Sequence, residues 1–237
     1  MNKLTAATTV GITAVALSVA PVGCGSNTKT ETNTSTSITT TASKAAPTTS
    51  AQAAPTTSAQ AAGPNKTLQD YIKENHIVET PVHPGDPGSP NINVPVPPGW
   101  SNAGPSTPPG AYTAMVYDQP QVPNDPPRIT AVVTKLTGNV DPAQVLNYAP
   151  GEEKNLPGFQ PADNGNTNPM SGFQAFSLAG SYMKDGTKRV IGQKTVVIPG
   201  QDGLYVLRMT ADALDGDLGT VMDAITKVID PQTTITF

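Results

Sequence analysis

Apolar positions change character twice along the chain. A soft apolar run covers residues 4–20, a tract dominated by Ser, Thr, Ala and Pro follows over 25–64, and short periodic runs begin at Thr67 and continue to Phe237. The periodic part predicts the elements. In "TLQDYIKEN", Thr67 stands three residues before Asp70 as a capping box, and Leu68, Tyr71 and Ile72 have helical spacing. Ile92 and Val94 suit an edge strand ending at Pro95, ahead of a Pro-Pro-Gly turn. Three further stretches, 111–118, 128–136 and 174–183, are short, rich in β-branched or aromatic residues, and bounded by Pro, Gly or Asp, which predicts strands. Within 188–212, two strand runs meet at Pro199-Gly200-Gln201-Asp202-Gly203, a β-hairpin with a longer loop. Its second strand puts Tyr205, Leu207 and Met209 on one face and Val206 and Arg208 on the other.

Helices frame these strands. Asp141-Pro142 is an N-cap followed by proline at the first helical position, and Val145, Leu146 and Ala149 stripe the helix it opens. The last helix is predicted over Asp217–Ile229, with Leu218, Val221, Met222, Ile225 and Ile229 forming one face to lay on the sheet. Asp215 and Asp217 sit at its positive end, Asp230-Pro231 stops it, and "TTITF" adds a short final strand. Trp100, the single tryptophan, is expected to pack over the core. Strands in runs with helices before, between and after them define an α+β fold: one domain with an antiparallel sheet flanked by helices. About 170 residues suffice for one good core.

Composition enters where the periodicity stops. Lys3 followed by the apolar run of 4–20 reads as an export signal, and the run is too short and soft for a membrane-spanning helix. It closes on Val22-Gly23-Cys24, small residues directly ahead of the only cysteine in the chain. A lone thiol has no internal disulfide partner. Its place here resembles the bacterial lipobox, with Pro21 standing where Leu is usual, and this implies acylation of Cys24 as an N-palmitoyl, S-diacylglycerol cysteine and cleavage just before it. Over 25–64, eighteen of forty positions are Ser or Thr, and "AAPTTSAQ" occurs twice in succession at 45–52 and 53–60. Such a tract cannot bury enough apolar surface to offset its ordering entropy, so it is read as a disordered tether, either bare or carrying O-linked sugars. As a flexible coil it spans about 35 Å and, fully extended, about 120 Å. The expected organisation is a lipoprotein signal peptide over 1–23, a tether over 24–64 and a globular domain over 65–237.

Charge and side-chain chemistry narrow the function classes. The net charge of −4 conceals a more acidic domain, with 17 acidic against 11 basic side chains from residue 65 onward, which argues against a nucleic-acid partner. The two histidines, His76 and His83, lie seven apart in a Pro-rich connection, and no Gly-x-Ser-x-Gly elbow accompanies them. Both are read as loop or capping residues, and with Asp86 they make no recognised zinc ligand set. The run from Asp215 resembles half a calcium loop, but its twelfth position is Thr226 rather than Glu, so the helix-start reading stands. No Gly-rich phosphate cradle occurs, and no cofactor is expected. Glu152 and Glu153 are adjacent, diverge in a helix, and are assigned to a solvated face.

Several stretches together carry a resemblance: "YIKENHIVETPVHPGDPGSP", "VPVPPGW", "NDPPRITAVVTKLTGNVDPAQVLNYAPGE", "NLPGFQ" and "GQKTVVIPGQDGLYVLRMTADAL", behind a lipoprotein signal and a Thr-Ser-Pro tether. With these, the chain resembles the LpqN/LpqT family of mycobacterial lipoproteins over residues 65–237. The resemblance implies a PsbP-like fold on the outer face of the membrane, held there by the lipid anchor, with no enzymatic activity. It further implies a trehalose glycolipid or other acyl ligand, association with MmpL-type lipid exporters, and, for shed protein, a meeting with host ubiquitin-ligase machinery. Two readings are carried forward: an anchored module holding an acyl or glycolipid ligand, and an interaction protein engaging a host protein. A lipid holder calls for a concave apolar pocket; an interaction protein calls for a flat or protruding patch without one.

Overall fold

The structure, a computed structural model, describes residues 63–237; the predicted signal segment, Cys24 and nearly all of the tether lie outside them. The first helix, α1 (Leu68–Glu74), begins as the sequence dictates, with a reciprocal capping box between Thr67 and Asp70 and with Leu68, Tyr71 and Ile72 buried. Strand β1 (Val78–Val82) follows, then the short β2 (Asn91–Asn93), β3 (Trp100–Asn102) and β4 (Thr113–Tyr117). Strand β5 (Arg128–Thr137) leads into α2 (Pro142–Tyr148), where Asp141 accepts from the Ala143 N–H at 2.8 Å, and α3 (Gly151–Lys154). After β6 (Gln160–Pro161), the long strands β7 (Ala175–Lys184), β8 (Thr187–Pro199) and β9 (Leu204–Leu214) make a meander. The C-terminal helical segment is α4 (Leu218–Ala224), a π-helical turn over Ile225–Ile229 and α5 (Asp230–Gln232), before β10 (Thr234–Thr236).

Seven strands are ordered β3-β4-β5-β9-β8-β7-β6, all antiparallel, and β1 joins as an eighth beside β5, next to the stretch that β4 pairs. Strands β2 and β10 form a separate antiparallel pair. The α+β architecture with a large antiparallel sheet is the one expected from the order of elements. Period-two alternation then divides the sheet into two unlike faces. One carries Ile129, Ala131, Val133, Val196, Ile198, Leu207 and Met209, packed with Trp100 and with Val221, Ala224 and Ile229 of the C-terminal segment. The other carries Leu136, Val197, Leu204 and Val206 against α1 and α2, including Leu68, Ile72 and Val145. Tyr205, Leu207 and Met209 therefore face one core and Val206 the other, as the alternation requires. Trp100 is buried and tilts against Tyr117 with ring centroids 5.6 Å apart.

Two expectations need correction. The last helix does not stop at Asp230-Pro231. Pro231 has no N–H to give to the carbonyl of Lys227, and the chain accommodates this by widening into the π turn, while the Gln232 amide donates to that carbonyl at 3.4 Å. Nor do all five apolar residues of that helix lie on the sheet: Val221 and Ile229 are buried, but Leu218 and Met222 are 47% and 44% exposed. Helical spacing identifies a stripe; it does not say how much of the stripe the sheet is wide enough to cover.

Candidate functional site

Beneath the C-terminal helical segment, the sheet holds a cavity of about 700 Å³, within the range of small-molecule sites. Its existence follows from side-chain size. On this face Leu207, Val196 and Ile198 fill the core, but farther along the strands Ala179, Gly192 and Ala211 present almost nothing, so the overlying segment meets a floor with little volume. Gly192 stands in mid-strand, and a Cβ built on it would meet only the methyl of Ala179, at an ordinary 3.5 Å. It is not required by the backbone; it leaves space. Met209 and Ile129 continue the floor, and Val221, Ile225 and Ile229 form the roof.

The cavity has two chemically distinct ends. Strand β8 and the helical segment run alongside each other, since Lys188 pairs with Asp215 at 3.0 Å and Lys194 pairs with Asp230 at 2.9 Å. The six residue steps along the strand from Lys188 to Lys194 correspond to about 20 Å. Leu218 and Met222 lie at the first end. At the other, the Lys194 ammonium is buried and meets the Asp230 carboxylate through one oxygen, while the second oxygen, Oδ1, is buried with no hydrogen-bond partner. In register, Lys194 lies opposite Ser177, which pairs with Asn166 from the loop after β6. An apolar trough therefore ends in a donor, a spare acceptor and neutral polar side chains. That set can hold a hydroxyl-bearing group, which needs both functions, better than a bare anion or cation.

The opposite face of the sheet is polar at the same level. Arg208 binds both carboxylate oxygens of Glu152 at 2.9 and 3.0 Å, and a hollow of about 240 Å³ lies among Arg128, Glu152, Arg208 and Asp212. Arg189, also buried, joins Asp212 and, at 2.5 Å, Asp125; the Tyr182 hydroxyl donates to Asp212 at 2.5 Å. Burial and the Asp212 carboxylate push the Tyr182 phenol up to about 12. The charges here neutralise one another and tie α3 and the loop after β4 to the sheet.

The residues singled out in the sequence are scattered. Cys24 lies outside the described residues. His76 follows α1 with a left-handed φ of 52°, and the His83 imidazole lies 3.6 Å from Asp86, whose carboxylate accepts from the His83 backbone N–H at 2.7 Å. Both are turn residues in contact with local partners, and neither lines the cavity. Thr226 donates to the carbonyl of Met222, a local helical bond, although its residue also lines the cavity. Glu152 and Glu153 do not share a solvated face: Glu152 holds Arg208, and Glu153 is buried with Oε2 unpartnered. Burial pushes the Glu153 carboxyl up to about 7, its own N–H and Arg208 opposing and Glu152 adding to the rise. Gly192 and Lys194 were not singled out in the sequence, and Asp230 was read only as part of a helix stop, yet all three line the cavity. A glycine and then a lysine within the strand run "VIGQKTVV" was the available signal, since each breaks an otherwise apolar strand.

The fold and cavity place this protein among α+β domains whose sheet supports an elongated, mostly apolar cleft. A family model described as probable lipoprotein LpqN matches residues 64–236. Lipoprotein LpqN of Mycobacterium tuberculosis is 54% identical over 228 residues, covering 96% of this chain and 98% of that protein. The crystal structure of LpqN involved in cell envelope biogenesis of Mycobacterium tuberculosis matches with a TM-score of 0.70 at 55% identity, over 74% of this chain and 100% of that one. The chain belongs to the LpqN lipoprotein family.

Proposed function

We propose that this protein is a cell-envelope lipoprotein, moored on the outer face of the membrane through acylated Cys24, whose domain shelters the acyl part of an amphiphilic lipid. The observation that carries the reading is the 700 Å³ trough with an apolar length and a polar inner end. Burying an acyl chain there gains about 0.8 kcal/mol per methylene, while Lys194 and the free oxygen of Asp230 exchange hydrogen bonds with hydroxyls of the head group. A trehalose glycolipid has that combination of parts. A hydrophobic cargo of this kind must come from and return to a protein or membrane that handles it, for which an MmpL-type exporter is the proposed counterpart. The role is one of binding without turnover. The alternative of a shed protein engaging host ubiquitin-ligase machinery calls for an interaction surface and gives no reason for the cavity, so the lipid holder is preferred. The involvement of the Mycobacterium tuberculosis relative in cell envelope biogenesis accords with it.

The decisive experiment is native mass spectrometry on protein purified from its own envelope, beside the variant Gly192→Phe. A Cβ at this position meets only the Ala179 methyl at an ordinary distance and points into the trough, so the ring is expected to block the trough, with the retained fold checked by circular dichroism. Bound lipid in the parent, with uptake of a fluorescent fatty acid weakened by about tenfold or more in the variant, is the expected result. A parent that carries and takes up no lipid overturns the proposal. For the anchor, Cys24→Ser should move the protein from the membrane fraction to the soluble fraction.

A further inference from the structure

Four of the seven large apolar side chains that stand exposed among the described residues gather at one end of the domain. Val122, Met183, Leu218 and Met222 are each between 40% and 47% exposed. Independent contacts bring them together. Gln121, next to Val122, donates to the carbonyl of Gly216 at 3.3 Å, just ahead of Leu218. Lys188 bonds Asp215 at 3.0 Å on the same turn and lies opposite Met183 in the β7–β8 register. Leu218 and Met222, one helical turn apart, belong both to this surface and to the cavity. The patch is thus the lip of the trough at the end away from Lys194 and Asp230.

The first described residues lie toward the same end. Asn65 and Asn155 exchange hydrogen bonds at 2.9 and 2.8 Å, and two residues beyond Asn155 the carbonyl of Pro157 accepts from the N–H of Met183 at 2.8 Å. The described chain therefore begins against Asn155, two residues before the Pro157 that bonds Met183, and Cys24 precedes it in the sequence. We infer that this lip is a lipid-docking surface: Val122, Met183, Leu218 and Met222 insert into the interface of a bilayer and set the mouth of the trough against it. The inference goes beyond the holder role. An acyl chain has almost no free concentration in water, because each methylene costs about 0.8 kcal/mol to expose, so a domain that seats against the bilayer lets the chain slide across without crossing solvent.

Charge decides the kind of lipid surface. At the lip Lys184 and Lys188 are balanced by Asp185 and Asp215, and the domain as a whole has 17 acidic against 11 basic side chains. Attraction to anionic lipid is absent, and contact rests on apolar insertion. Docking is therefore expected on zwitterionic vesicles, indifferent to salt and weaker on anionic ones.

The test is flotation of residues 63–237 with phosphatidylcholine vesicles and with vesicles containing phosphatidylglycerol. The crystallised relative comprises only the counterpart of this domain, so the segment folds alone. Val122→Asp/Met183→Asp alters the lip outside the cavity lining. It should reduce co-flotation with phosphatidylcholine by about tenfold or more, yet take up a fluorescent fatty acid from solution like the parent. Transfer of the same probe from vesicles should slow by a similar factor. The inference is overturned if the parent does not float, if the double variant floats equally well, or if binding needs anionic lipid and vanishes with salt. Flotation with no fatty-acid uptake would defeat the holder reading and leave the lip standing; uptake without flotation would do the reverse.

Discussion

Glu153 shows how one buried side chain can give the whole domain a pH dependence. Its carboxyl is held up near 7 by burial, above the usual value of 4.5. The folded state therefore binds a proton more tightly than the unfolded chain. Unfolding releases it between about pH 4.5 and 7, so stability falls as pH rises through that window and is level above it. The neutral variant Glu153→Gln lacks this loss. Urea unfolding should find the variant level with the parent near pH 4.5 and more stable by up to about 3 kcal/mol at pH 8. A constant difference across that range would assign Glu153 no titration of its own. Nothing in "PGEEKN" distinguishes the two glutamates; which one meets Arg208 and which is enclosed depends on how α3 is rotated against the sheet.

Elements were the most legible level, because their signals are local. Thr67 and Asp70 are three residues apart in the chain, and they meet whatever the rest of the protein does. Thr67→Ala should cost about 1 kcal/mol in urea unfolding. The strands at 113–117, 128–137 and 175–184, and the hairpin at 187–214, were found within a few residues for the same reason. Strands β1, β3 and β6 were not predicted. Val78–Val82 contains Pro81, and Gln160–Pro161 is two residues long; each is a strand because a neighbour offers it a ladder. Gly180 makes the last of these pairings feasible, since a methyl there would overlap the Gln160 carbonyl and the Phe159 ring. Gly180→Ala should release β6 at a cost of about 1–3 kcal/mol, lowering Tm by roughly 2–4 °C for each kcal/mol lost.

At the scale of the molecule, the pairing that matters joins residues 36 apart. Lys194 on β8 and Asp230 at the end of the helical segment close the inner end of the trough. Lys194→Met leaves a largely buried carboxylate without its counter-charge and should destabilise by about 3–5 kcal/mol, whereas Lys194→Met/Asp230→Leu should regain most of that loss. Urea titrations of both variants check the pattern. If the stabilised double variant also binds fatty acid but no longer distinguishes it from a lipid with a hydroxylated head, the pair reads the head group rather than holding the fold.

The sequence by itself determined the longer helices and strands, the α+β class, the two-faced character of β9 and the family. All of these are written in short windows, in period, cap, turn and composition. Only the tertiary structure decided that the small residues Ala179, Gly192 and Ala211 stack into a hollow, that a π turn roofs it, and that Leu218 and Met222 overhang the sheet. A cavity is space left between elements, and its size depends on side chains brought together from distant strands. No local pattern records that.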